Sequence, residues 1–241
     1  MRVYEIKVEV ATLVAINRNK ARISIANLID MAFVKEVNLE KFHKENEIKG
    51  YSFGLLYPLP KVRSARYEAK KIYTFRIRCV DERMAEYLKT TLFTHGNSEL
   101  KVITTSMRVI KNPMIESLTT TTPMITLNNN YWRNQMSFSK MTKNLNEKLI
   151  RKYNALYYKD LPLDTKVIKS VEVLNNRPIA VKSYNGSYYV CDKVKVIPET
   201  TEIAREIITM ALATGIGTKT SRGFGFVKYN VIREEVQKNV S

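Results

Sequence analysis

Residues 201–232 read TEIAREIITMALATGIGTKTSRGFGFVKYNVI, and the fold turns on how this stretch divides. Its first part is a helix from about Glu199 to Thr214, with Ile203, Ile207, Met210 and Ala211 turned inward at helical spacing. Its last part, GFGFVKYNVI, is a strand. Between them, four of the chain's eight glycines fall at 215, 217, 223 and 225 and enclose Lys219 and Arg222. A basic glycine loop therefore joins the last helix to the last strand.

The same order appears when the reading moves outward. Towards the N-terminus lie the strands VIKSVEVL (167–174) with PIAVKSY (178–184), and then YYVCDKVKVI (188–197) across the Asn185-Gly186 turn. Before them is a helix over 139–157, with Met141, Leu145, Leu149, Tyr153 and Leu156 on one stripe and Lys140, Lys143, Lys148, Arg151 and Lys152 on the other face. SLTTTTPMITL (117–127) supplies the opening strand, interrupted at Pro123. Strand, helix, strand, strand, helix, strand is the ferredoxin-like order.

The first half repeats it. Residues 2–10 alternate, with Tyr4, Ile6, Val8 and Val10 on one side, and RISIANLIDMAFV (22–34) is helical. NLEKFHKEN (38–46) reads as a short further helical turn capped by Asn38. KGYSFGLLYP (49–58) and KKIYTFRIRCV (70–80) are strands; in the second, Thr74, Arg76 and Arg78 share a face. Asp81 caps ERMAEYLKTTLF (82–93), His95-Gly96 ends it, and ELKVITTSMRVI (99–110) is the fourth strand. Asn112-Pro113 marks the expected boundary, giving an α+β fold of two tandem βαββαβ units, 1–112 and 113–241.

Forty Lys and Arg face twenty-three Asp and Glu, a net charge of +17 that calls for a polyanionic partner, nucleic acid first. The basic residues are spread along the chain, without the polybasic tail or basic amphipathic helix of a membrane-surface protein. No apolar run spans a bilayer, and MRVYEIKVEV alternates where a signal peptide would be continuously apolar, so the expected location is the cytoplasm. Cys79 and Cys191 read as buried thiols in a reducing compartment. No metal or cofactor is called for: the carboxylates form no DxD or DEDD-like cluster of the kind a two-metal nuclease needs.

The glycine loop admits two readings. Its glycines allow positive φ and close approach, so backbone N–H groups could converge on a phosphate while Lys219 and Arg222 neutralise it. Alternatively Gly215 caps the helix and Gly223 and Gly225 pack closely. A mononucleotide loop is excluded: there is no GxxxxGK[ST], Thr220 breaks GxGxxG, and the loop follows a helix where those loops precede one.

The pattern GxGxxxxxGxG near the C-terminus, with basic residues inside it and a duplicated ferredoxin-like order before it, resembles the Cas6-type CRISPR-associated endoribonucleases of the RAMP superfamily. The resemblance implies metal-free cutting of precursor CRISPR RNA within its repeats. It assigns RNA contact or the shaping of the RNA surface to Gly215, Gly217, Lys219, Arg222, Gly223 and Gly225. The basic faces add Arg76, Arg78, Lys140 and Lys143 (with Lys148) as RNA-binding candidates, and Trp132 or Tyr131 as a stacking platform.

Cleavage by the RNA's own 2′-hydroxyl needs a proton acceptor, a proton donor and positive charge. The family often places a catalytic histidine after the first helix, then a lysine, then a YSF-like strand; His43, Lys49 and Tyr51-Ser52-Phe53 match that arrangement. His43 would be acid or base and Lys49 the charge stabiliser. Where the family often has a tyrosine about a dozen residues earlier, this chain reads LIDMAFV with Phe33, and Tyr51 is the nearby replacement. His95 reads as a helix-end residue. A homodimer and further subunits of a CRISPR effector complex are compatible partners, and the alternative function is a non-catalytic RNA-binding RAMP subunit.

Overall fold

The computed structural model describes residues 1–34, 48–61, 66–127, 131–183 and 186–232. The expected turn over 38–46, its cap Asn38 and His43 lie outside the described residues.

The first unit runs β1 (Arg2–Thr12), α1 (Arg18–Val34), β2 (Tyr51–Phe53), β3 (Ile72–Cys79), α2 (Glu82–Phe93) and β4 (Leu100–Lys111). Asn17 starts α1 four residues earlier than the apolar pattern suggested, because its side chain accepts the amide of Lys20 at 2.8 Å. Asp81 caps α2 as expected, accepting from the Met84 amide at 2.6 Å. The strands form one antiparallel sheet in the order β2-β3-β1-β4. Ile6, Val8 and Val10 pack with Phe75 and Ile77 under Ile25, Leu28 and Ile29 of α1 and Leu88 and Leu92 of α2. Each such fully buried side chain contributes roughly 1.5–3 kcal/mol.

The second unit runs β5 (Ile115–Thr120), α3 (Phe138–Tyr157), β6 (Ile168–Val173), β7 (Ile179–Lys182), β8 (Tyr188–Cys191), β9 (Val194–Pro198), α4 (Glu202–Thr214) and β10 (Val227–Val231). Its sheet order, β10-β5-β9-β6, repeats that of the first unit, so the fold is a tandem ferredoxin-like α+β fold. The departure is the hairpin β7-β8, a separate two-stranded ribbon inserted between β6 and β9. YYVCDKVKVI, expected as one strand, therefore breaks at Asp192. The buried Asp192 carboxylate accepts from Trp132 Nε1 (2.6 Å), Tyr131 Oη (3.1 Å), Arg133 (3.1 Å) and Asn175 Nδ2 (2.6 Å). Cys79 and Cys191 are both buried and unbridged. No described helix is long and apolar enough to cross a membrane.

The units are fused through polar ties as well as apolar contact. Val3 and Ile110 of the first sheet join the second core. Arg78, at the end of β3, donates to Glu5 at 2.7 Å and to the Val227 carbonyl of β10 at 2.6 Å, and lies over the Phe226 ring. Burial alone would raise the Glu5 carboxyl, but the guanidiniums of Arg78, Arg108 and Arg76 hold it below the usual carboxylate range. Ser52 of β2 donates to the Ala213 carbonyl near the end of α4, at 2.6 Å.

Candidate nucleic-acid interface

The glycine loop is built by close approach. Gly215 (φ 73°) closes α4, and a Cβ there would meet the Gly225 carbonyl oxygen at 2.8 Å. Gly225 (φ 59°) is tighter still: a Cβ would overlap the Ile216 carbonyl oxygen. Gly223 lies against the Phe53 ring of β2, and Gly217 against the Ile125 carbonyl. Several loop amides are committed within the fold: Ile216 donates to Gly225, Thr218 to Ile125, Gly223 to Thr220 and Gly225 to Pro123. Of the two readings of the loop, the structure supports close packing. Those four amides hold the loop together and are not turned to a ligand.

What the loop presents outward is side chains. Lys219 (φ 55°) and Arg222 are exposed, Lys219 with its ammonium 5.5 Å from the Tyr189 ring centre and Arg222 paired to Asp30 of α1. Below them sits Arg22, 5% exposed, which sequence reasoning missed because its partners are remote in the chain. Its guanidinium donates to the carbonyls of Arg222 (3.0 Å) and Lys182 (2.8 Å) and to Asn19 (3.0 Å), and lies 4.5 Å from the Phe224 ring centre. Burial lowers its pKa to about 10, which leaves it a cation at neutral pH. One side chain thus joins α1, the glycine loop and the inserted hairpin. The three elements bound a cleft of about 470 Å³, lined by Arg22, Asp30, Tyr189, Lys219, Arg222 and Phe224 among others.

Strand β2 runs beneath this corner. Tyr51 is completely buried against Phe33, ring centres 5.5 Å apart, and its hydroxyl has no hydrogen-bond partner among the described residues. Burial, reinforced by Asp30, pushes its phenol well above the usual range, against a smaller opposing effect of Arg222. Tyr51 does not reach the cleft surface, so the expected direct part in proton transfer is corrected to a place in the wall behind it. Lys49 is half-buried, two residues before β2.

Other candidates separate. Arg76 is exposed on the open face of the first sheet, whereas Arg78 on the same face is buried by β10 and is a tie between units, not an RNA contact. Lys140 and Lys143 are exposed on α3, and Lys143 lines a groove against β6, away from the glycine-loop cleft. Further along the helix, Lys148 donates to the Thr126 carbonyl, and Lys152 to the carbonyls of Gly215 (3.0 Å) and Thr214 (3.4 Å), supporting the loop from below. The Lys152 ammonium is enclosed, and burial, then the Lys148 charge, lower its pKa to about 7. Trp132, expected as a stacking platform, is buried with its N–H committed to Asp192, as is the Tyr131 hydroxyl. His95 sits at the end of α2, 2.5 Å from the Thr91 carbonyl. Among the described residues no group of three or more His, Cys, Asp or Glu could hold a metal.

Two ferredoxin-like units thus carry a glycine loop seated across their junction. The family "CRISPR associated protein Cas6, C-terminal" matches residues 98–229, more than half of the chain, and the protein belongs to the Cas6 family. Among solved structures it is similar to a CRISPR associated protein Cas6 (TM-score 0.70, 20% identity, 95% of this chain and 99% of that one). It is also similar to a RAMP protein binding different RNA substrates (0.69, 16%, 94% and 99%) and to a Cas6 product complex (0.60, 14%, 95% and 100%). At these identities the likeness speaks for the fold. No curated protein sequence matches it.

Proposed function

We propose that this protein is a metal-independent endoribonuclease that cuts precursor CRISPR RNA within its repeats. The observation that carries the reading is the cleft where α1 of one unit meets the glycine loop of the other, with Lys219 and Arg222 exposed at its edge, in a chain of the Cas6 family. Two structural relatives point the same way, one a Cas6 product complex and one a RAMP protein binding different RNA substrates.

In this reading Lys219 and Arg222 hold phosphates at the cleft, while His43, beyond the C-terminal end of α1, exchanges protons with the 2′-hydroxyl or the departing 5′-oxygen. An imidazole with a pKa near 6.5 is suited to both directions of transfer. Lys49 stabilises the charge that develops on the phosphorane. The products carry a 2′,3′-cyclic phosphate and a 5′-hydroxyl, since the attacking oxygen belongs to the RNA. The test is cleavage of repeat RNA in EDTA, compared with the same RNA carrying a 2′-deoxy sugar before the scissile phosphate. Cutting that persists in the deoxy substrate overturns the mechanism. His43→Ala is expected to lower the rate by about 10²–10⁴-fold.

A second reading, a non-catalytic RNA-binding RAMP subunit, is favoured by one observation. Phe33 stands near where the family often has a tyrosine, and Tyr51 behind it is closed off. It requires binding without cutting, and no change of behaviour in His43→Ala.

A further inference from the structure

On the other side of Arg22 from the glycine-loop cleft lies a second groove, of about 560 Å³, between the N-terminal end of α1, the loop after β2 and the hairpin β7-β8. Arg22 and Phe224 line both spaces. The two differ in chemistry. The wall of the second groove is apolar, formed by Leu55, Leu59, Pro123, Ile179, Val181 and Phe224. Around that wall stand four cations, Arg18, Arg22, Lys182 and Lys193, and among the described residues no Asp or Glu lines it. Tyr188, 65% exposed on β8, stands at its margin.

This combination is selective. An apolar wall excludes a bare anion as its best occupant, and four cations with no lining carboxylate among the described residues disfavour a neutral apolar ligand. The charges also crowd one another: burial and the neighbouring Arg18 and Lys228 lower the pKa of Lys193. An occupant with a flat apolar part and a negative part satisfies both requirements, and a nucleotide is such a molecule. The volume lies within the range of small-molecule sites, roughly 300–1,000 Å³, and exceeds what a single side chain would fill. Because the wall is shared with the basic cleft, a strand whose phosphates lie at Lys219 and Arg222 can place a neighbouring base on the far side of Phe224.

We propose that this groove holds one unpaired nucleotide of the bound RNA, its base against Phe224, Ile179 and Tyr188 and its phosphate between Lys182 and Lys193. The proposal rests on the RNA-binding reading above and adds a subsite that reads the presence of a base away from the site of chemistry.

The test uses the full chain and two single-stranded RNA octamers of uridines, one with 2-aminopurine at the fourth position and one abasic there. The base-bearing octamer is expected to bind about tenfold more tightly, with its fluorescence quenched, as one stacked base warrants. Tyr188→Ala, an exposed position whose loss leaves the core intact, is expected to shrink that preference to within about twofold. Lys193→Gln should weaken both octamers by a similar factor. Equal binding of the two octamers, binding of neither, or an undiminished preference in Tyr188→Ala overturns the groove assignment. So does displacement of the probe by an acidic, apolar peptide but not by adenosine monophosphate, which would give the groove to a protein partner. None of these outcomes touches the cleavage assay with the 2′-deoxy repeat, so the two readings fail separately.

Discussion

The corner where the second helix of each unit turns into its last strand occurs twice in this molecule, and the two copies were put to different uses. In the first unit residues 94–99 make the turn within their own layer: His95 and Thr94 bond back to Thr91, and Asn97 receives the amides of Glu99 and Leu100. In the second, residues 215–226 leave their layer, lie on β2 and α1 of the other unit, and return. Topology fixes where such a connection starts and ends, and only its length and glycine content decide whether it reaches across to its neighbour. The candidate site is thus a lengthened connection on a duplicated scaffold.

The sharpest way to break this contrast is to add one methyl group at each corner. Gly225→Ala places a Cβ inside the Ile216 carbonyl at positive φ and is expected to destabilise by upwards of about 4 kcal/mol, read from denaturant midpoints. Gly96→Ala, 3.1 Å from the Leu100 carbonyl without positive φ, should cost about 1 kcal/mol. Comparable losses would remove the distinction between the two connections.

The junction itself can be sharpened on strand β3. Arg78→Leu strips the buried Glu5 of its closest partner and the Val227 carbonyl of its donor, with an expected loss of about 3–5 kcal/mol. Arg76→Leu, half exposed and 3.6 Å from the same carboxylate, should change stability by less than about 1 kcal/mol and show itself in RNA affinity and its salt slope. A large stability effect at Arg76 would mean that the open face of the first sheet is structural throughout.

A separate effect is one of pH. An unfolded lysine titrates near 10.4 and Lys152 in the folded chain near 7, so between these values the unfolded chain holds a proton that the folded one has released. Stability contributed at this position therefore rises with pH from about 7 towards 10, and the cost of the enclosed ammonium is felt in full below 7. Lys152→Met should flatten that rise in thermal midpoints measured from pH 7 to 9. An unchanged slope would place the ammonium in water and detach it from the glycine loop.

Element order was legible because it rests on local signals: the alternation of β1, the Asp81 cap, the stripe of Met141, Leu145 and Leu149, and the Pro123 interruption. What escaped was set by partners remote in the chain. Alternation in β3 put Arg76 and Arg78 on one face, but nothing nearby told that β10 would cover one of them. Trp132 and Asp192 lie 60 positions apart, so neither the buried indole nor the strand break it shares with Asp192 had a local sign. Arg22 looked like any basic residue on a helix. Its role depends on carbonyls contributed by residues 182 and 222.

The clamped glycine loop also bears on how such a protein can change its choice of ligand. The main chain is pinned by several of its own amides and by carbonyls of Ile125 and Pro123, and the Arg222 side chain adds a tie to Asp30 of α1, while the Lys219 side chain makes no such tie to the other unit among the contacts described. A change at 219 or 222 alters the charge that the loop presents without adding atoms to its close-packed interior, whereas a side chain at Gly215 or Gly225 would collide with a backbone carbonyl.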